Sequence, residues 1–108
     1  IEIVPVHGMY TYDARYTAGA TEFFEPARLD PDTTARVMEF AVMVHQQFGL
    51  RDISRTDVIV DSNGVIKFLE VNVAPGMTES TLVPQALSAA HLDSGEVFEH
   101  LVKAAITR

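Results

Sequence analysis

Two carboxylates, an amide and an arginine are spaced through the middle of this chain in a way that can hold a cation. Ile53 to Val60 and Val65 to Val73 are rich in β-branched residues, and Asp61-Ser62-Asn63-Gly64 lies between them. Asn-Gly tolerates the positive φ angles of a type I′ turn, so the spacing predicts two antiparallel strands joined by a tight hairpin. With Asn63 and Gly64 as the loop, or with any even loop, the ladder sets Asp57 opposite Glu70 and Arg55 opposite Asn72. Alternation then puts Arg55, Asp57, Phe68, Glu70 and Asn72 on one face, and Val58, Val60, Ile66, Leu69 and Val71 on the other, the core side. Carboxylates directly across a ladder repel. A hard divalent cation relieves that repulsion, and Mg²⁺ in particular is held by one or two carboxylates together with nucleotide phosphate oxygens. A solvated ion-pair cluster around Arg55 would use the same residues, and on the carboxylates alone it is the simpler reading.

The stretch after the second strand shifts that balance. Pro75 stops Val73-Ala74-Pro75-Gly76-Met77-Thr78 from continuing a central strand. Glu79-Ser80-Thr81-Leu82 then reads as a helix start, with Pro84 tolerated in the first turn. Free N–H groups at a helix N-terminus, beside the Thr81 hydroxyl, make a site for a carboxylate or phosphate. Cation ligands thus end one strand, and an anion site begins a few residues later.

Arg55-x-Asp57, Glu70-x-Asn72, Pro75-Gly76-Met77-Thr78 and Leu82-x-Pro84 together resemble the C-terminal signature of D-alanine-D-alanine ligases within the ATP-grasp superfamily. The resemblance implies ATP- and Mg²⁺-dependent joining of two D-alanines through an acyl phosphate, for peptidoglycan synthesis in the cytoplasm, with Mn²⁺ as a substitute ion. It implies Asp57, Glu70 and Asn72 as metal ligands, Arg55 and the Gly76 amide as stabilisers of the developing oxyanion, and Thr81 and Leu82 as the seat of the second D-alanine's carboxylate. Serine is usual where this chain has Thr81, which keeps the hydroxyl and adds a stiffening methyl. Tyr10-x-Tyr12-Asp13-Ala14-Arg15-Tyr16 resembles the loop that closes over the active site of these ligases, so residues 7–28 are expected to form that loop. Arg15 stands where Lys is usual and is expected to meet a phosphate with a planar fork instead of a point charge. Tyr16 points to a dipeptide product, because relatives that make an ester with D-lactate carry His there. Met9 takes the place of a residue set against the adenine.

The remainder of the sequence reads as support for these groups. Ile1 to Val6 alternates around Pro5, as an edge strand does. His7 to Arg28 has few aliphatic residues and reads as a long loop or a loop with short strands. Asp30-Pro31 opens a helix, Val37, Met38, Ala41, Val42, His45 and Phe48 recur at helical spacing, and Gly49 ends it. Met38 and Met43 are expected in the core or at its boundary. Leu82 to Ala90 predicts a short helix, and Asp93-x-x-Glu96 caps a last one with a stripe of Val97, Phe98, Leu101, Val102, Ala105 and Ile106. His45, near the helix end, suits the helix dipole and needs no metal role, and His91 and His100 have no partner at ligand spacing and read as structural or exposed.

Composition narrows the function classes. With 8 Lys and Arg against 15 Asp and Glu, the net charge of −7 argues against a nucleic-acid or anionic-membrane surface. No apolar run is long enough to span a membrane. The absence of cysteine leaves no disulfide framework and no thiolate metal site. The 108 residues, 47% of them hydrophobic, suit one α+β domain with a real core, an ATP-grasp C-terminal domain of mainly antiparallel sheet with helices packed on one face.

The resemblance covers only the C-terminal third of such ligases. Residues 1–108 are therefore expected to be a fragment whose partners are ATP, D-alanine, the N-terminal and central domains of the same protein, and a second copy in a homodimer. Two other readings use the same residues: an ATP-grasp ligase acting on another amino acid or peptide, and a non-catalytic α+β binding module. Because the adenine-binding and first-substrate residues of the family lie upstream, the 108-residue chain alone is expected to release no phosphate from ATP with Mg²⁺ and D-alanine, which a phosphate-release assay checks directly.

Overall fold

The computed structural model describes the backbone of residues 1–108 and every side chain except that of Arg15. The fold is α+β, with two small antiparallel sheets in place of the single sheet expected. Strands β1 (Glu2–Pro5) and β2 (Thr21–Phe24) form the first, and β3 (Arg55–Val60) and β4 (Ile66–Asn72) form the second. Helices α1 (Tyr12–Tyr16), α2 (Pro31–Gln47), α3 (Leu82–Ala89) and α4 (Ser94–Ile106) complete the chain. Among the described residues no helix is long and apolar enough to cross a membrane.

The hairpin β3–β4 has the expected Asp57–Glu70 and Arg55–Asn72 pairs, but it reaches them by a different route. The loop is not type I′, because only Gly64 of the Asn63-Gly64 pair is left-handed, at φ 74°. The Asp61 carbonyl accepts from the Gly64 amide at 2.9 Å, and the Asp61 amide donates to the Val65 carbonyl at 3.0 Å. This is the three-residue loop in which a turn is followed by a left-handed glycine. The Asp61 carboxylate pins it by accepting from the amides of Asn63 and Val65, at 2.9 and 3.0 Å. These bonds hold that carboxyl below its usual range, the Val65 amide contributing most. Arg36 of α2 also donates to the Gly64 carbonyl, tying the loop to the helix.

An odd loop alone would set Asp57 opposite Leu69. Instead Val58 pairs with Phe68 and Asp57 with Glu70, so Leu69 is an extra residue without a partner, a β-bulge. The two one-residue departures cancel, which is why the carboxylates still oppose. They do not cancel for Phe68, which shares a face with Val58, not with Asp57 as alternation predicts. Its ring centroid lies 6.3 Å from that of Phe40 and 6.4 Å from that of Phe48, so Phe68 joins the sheet to α2. Leu69, expected on the core side, is 56% exposed.

Helix α2 starts and stops as local chemistry dictates. The Asp30 carboxylate accepts from the Thr33 amide at 2.9 Å and from its hydroxyl at 2.6 Å, with Pro31 in the first turn. At the other end the Gly49 amide donates to the Gln46 carbonyl and the Leu50 amide to that of His45, each at 3.0 Å, with Gly49 left-handed at φ 62°. The inward face differs from the expected stripe: Thr33, Val37, Phe40, Ala41 and Val44 turn in, while Met38 is 66% exposed and Val42 and Met43 are also outside. Contact with Phe68 rotates the helix toward Phe40. His45 bonds Ser54 across the start of β3, Nδ1 to Oγ at 2.8 Å.

Residues 7–28 contain β2, as one of the expected forms, and also α1, which the sequence pattern does not announce. Arg28 closes this unit by donating through Nε and Nη2 to Glu2 at 3.0 and 2.8 Å, with its guanidinium 3.7 Å over the Phe24 ring. In α4 the Asp93 carboxylate accepts from the Glu96 amide at 2.9 Å, but Val102, Ala105 and Ile106 of the expected stripe are exposed. Only Ala14, Thr33, Val44 and Pro75 among the described residues are buried, so the core is thinner than the composition implies.

Truncating Phe68 to Ala should cost about 1–2 kcal/mol, less than a fully enclosed phenylalanine, while Leu69→Ala should change stability by under about 0.5 kcal/mol. Urea unfolding of the two variants checks the facing that the bulge creates. Hydrogen bonds from Arg28 lower the Glu2 carboxyl from 4.5 to about 2. A depressed carboxyl stabilises the fold above its unfolded value, so the contribution is whole above about pH 4.5 and is lost as pH falls through about 2. Carboxyl-carbon NMR titration should find that low midpoint, and Arg28→Gln should raise it part of the way back, since the residue-28 amide still donates to Glu2.

Candidate functional site

The polar face of the β3–β4 hairpin gathers Arg55, Asp57, Glu70 and Asn72. Arg55 sits between the carboxylates. Its Nε donates to Asp57 Oδ1 at 2.7 Å and its Nη2 to Asp57 Oδ2 at 2.9 Å, the bidentate fork that suits a carboxylate. Glu70 Oε1 lies farther off, 3.9 Å from Nη2. Asp57 is the more enclosed of the two acids, with 20% of its side chain exposed against 55% for Glu70. The bond to Asp57 raises the Arg55 pKa first of all, and the charges of Asp57 and Glu70 add to it. One guanidinium cannot neutralise two carboxylates, so the face keeps an excess of negative charge.

Asn72 ends β4, and its Oδ1 accepts from the Ala74 amide at 3.0 Å, turning the chain out of the sheet. An amide oxygen has a second lone pair. The face therefore presents oxygen donors from Asp57, Glu70 and Asn72, which are hard ligands suited to a hard cation.

Beyond the strand, Pro75 is buried and Gly76 lies against Thr81. The Thr81 hydroxyl donates to the carbonyls of Gly76 and Thr78, at 2.8 and 2.6 Å. Thr81 is the N-cap of α3, yet its side chain makes no capping bond, so it leaves the amides of that helix's first turn, beginning with Leu82, uncapped. Thr81 and Leu82 thus open α3 as expected, with the Thr81 hydroxyl turned to the preceding loop.

Helix α1 carries the aromatic residues of the 7–28 segment. Thr11 caps it by accepting from the Ala14 amide at 3.3 Å, and the Thr21 hydroxyl donates to the Ala14 carbonyl at 2.5 Å. Buried Ala14 anchors the helix, and Tyr12 and Tyr16 stand outward with ring centroids 4.6 Å apart. Met9 is also exposed. The side chains of Met9 and Tyr16 make no hydrogen bond or ion pair with the hairpin face, and the Arg15 side chain lies outside the described residues. Tyr10 is the residue that spacing did not single out. It lies near Arg55, and nothing in the pattern of a loop tyrosine signals that.

The model of the family described as D-ala D-ala ligase C-terminus matches residues 1–107. The chain belongs to that family. Among its relatives, the D-alanine–D-alanine ligase of Anaeromyxobacter sp. (strain K) is 41% identical over 105 residues, covering 97% of this chain and 34% of the relative. Those of Magnetococcus marinus and Pelotomaculum thermopropionicum are 38% and 39% identical over 106 residues each, covering 34% and 33% of their lengths. The chain thus spans about a third of the length of the curated relatives it matches. Within it, polar groups converge on the hairpin face and on the Gly76–Leu82 turn.

Proposed function

We propose that the chain is the C-terminal part of an ATP-grasp D-alanine–D-alanine ligase, which uses ATP and Mg²⁺ to form the dipeptide for peptidoglycan. The observation that carries this reading is the direct opposition of Asp57 and Glu70, with Asn72 and Arg55 on the same face, in a chain of this family. Two acids directly opposite across a ladder destabilise the strand pair, and a cation offsets that repulsion.

Asp57, Glu70 and Asn72 fit a magnesium ion by donor chemistry, since all three offer hard oxygens from adjoining positions of one hairpin. When bound, Mg²⁺ neutralises the phosphate charge that builds as the γ-phosphoryl group moves to the first D-alanine's carboxylate. The chain's own groups act around that transfer. Arg55, kept protonated by its bond to Asp57, offers a fixed positive charge to the oxyanion. The Gly76 amide is the second oxyanion donor of this reading, where the absence of a side chain permits close approach. Leu82 receives the carboxylate of the second D-alanine at the start of α3, whose dipole favours an anion.

Residues 7–28 serve as the loop over the site, with Arg15 toward phosphate, Met9 toward the adenine and Tyr16 toward the reacting amino acids. The anchoring of α1 through Ala14, with its tyrosines outward, supports a segment that presents them to a ligand. The homodimer, the cytoplasmic location and the use of Mn²⁺ in place of Mg²⁺ rest on the family resemblance.

The test uses the full-length protein containing this segment, given ATP and Mg²⁺ with D-alanine, with L-alanine, or with D-alanine plus D-lactate. Phosphate release with D-alanine alone, accompanied by the dipeptide, is the expected result. Asp57→Asn and Glu70→Gln should each lower kcat by about a hundredfold or more, as the loss of a preorganised electrostatic group does. Activity confined to another amino acid would leave an ATP-grasp ligase of different specificity, and parental rates in both variants would return the acids to a plain ion-pair role.

A further inference from the structure

Arg55 and Asn72 form the last rung of the β3–β4 ladder, where a strand pair is most free to fray. The chain that leads into this rung is held from the side of α2. Ser54 Oγ lies 2.8 Å from His45 Nδ1, and both residues are half-buried. The main-chain carbonyl of His45 also accepts from the Leu50 amide at 3.0 Å, so one residue grips both ends of the connection from α2 to β3. Between those grips Asp52 is left-handed at φ 63°, and its carboxylate accepts from Arg108 Nη2 at 2.8 Å. The connection is thus tied at Leu50, Asp52 and Ser54. Interaction with the dipole of α2 does not require the His45 ring to face β3. The bond to Ser54 is what turns it there.

We infer that His45 is a positioning residue for Arg55: its ring, bonded to Ser54, fixes the start of β3 and with it the direction in which the Arg55 guanidinium leaves the strand. The inference rests on the proposed ligase reading for the reaction but not for the bond itself. Neighbouring side chains leave an extended chain on opposite sides, and Ser54 turns to α2 while Arg55 turns to Asp57. A displacement at Ser54 passes to Arg55 through a single rigid peptide unit. Arg55 has little tolerance for it, because Nε and Nη2 must meet both oxygens of Asp57 together, at 2.7 and 2.9 Å. The same guanidinium must also aim its charge at an oxyanion that forms only during reaction, and misplacement by about 1 Å is enough to slow a reaction about a hundredfold. His45 therefore touches no reacting atom and acts through the strand.

The experiment uses the full-length protein carrying His45→Phe, His45→Asn, Ser54→Ala, or His45→Phe together with Arg55→Lys. Steady-state kinetics with ATP and D-alanine are read alongside hydrogen exchange of the Arg55 Nε proton by nitrogen-15 NMR, which needs no turnover. His45→Phe keeps a flat ring and removes the bond, so kcat should fall about tenfold while both KM values stay near those of the parent. The Arg55 Nε proton should exchange faster in the same variant. Ser54→Ala, the smallest deletion of the bond, should act in the same way on both readouts. His45→Asn, whose side-chain amide reaches the position of Nδ1, should recover most of the lost kcat and slow the exchange again. Where Arg55→Lys is already present, His45→Phe should lower kcat by no more than about twofold, because the fork that it positions is gone. A further loss of about tenfold in that background would show general support of the fold and overturn the inference. Parental Arg55 exchange in both His45→Phe and Ser54→Ala would also overturn it, whatever the rates. If the parent does not turn over D-alanine, the ligase reading fails separately and the exchange result alone decides.

Discussion

The repulsion between Asp57 and Glu70 is the constraint around which the hairpin is arranged. Two acids held across a ladder raise the energy of the strand pair unless a cation stands between them, and Arg55 supplies one positive charge for two negative ones. The pair stays opposed because other interactions hold the ladder in register. The Asp61 carboxylate pins the loop, Arg36 ties the loop to α2, and Phe68 packs against Phe40 and Phe48. The sheet's packing on the helix thus sustains an arrangement of charge that the hairpin alone would resist.

The bulge at Leu69 lets one strand serve both purposes. Without an extra residue, β4 could not turn Phe68 toward α2 and Glu70 toward Asp57, since the side-chain period of two would put both on the same face. The bulge divides β4 into a part that anchors and a part that carries oxygen donors. A similar division appears after the strand, where Pro75 is buried while Gly76 and Thr81 hold an exposed turn by backbone carbonyls. In both places the chemistry sits on a short segment whose geometry is set by its neighbours.

The thin core follows from where the apolar side chains lie. Nearly half the residues are hydrophobic, yet Met38, Val42, Met43, Val102 and Ile106 remain outside. Helix α2 spends one face on the hairpin and leaves another open, and α3 and α4 pack mainly with each other. These open faces belong to a chain that spans about a third of its relatives' length.

Local chemistry was legible in the sequence. The caps at Asp30 and Asp93, the stop at Gly49, the two strands of the hairpin and the break at Pro75 all depend on groups within a few residues of one another, so residue type and spacing were enough. The Asp57–Glu70 pairing was also reached, although an odd loop and a bulge had to cancel for the count to hold. Tertiary structure decided the rest. Phe68 faces α2 because Phe40 and Phe48, 28 and 20 positions earlier, await it there, α2 turns Met38 outward for the same reason, and Tyr10 comes near Arg55 only when the loop folds back. The Thr81 hydroxyl looked free in the sequence, and the fold directed it to Gly76 and Thr78. Periodicity names the residues that can share a face, but contacts between distant segments select which face is buried and which hydrogen bond a side chain makes.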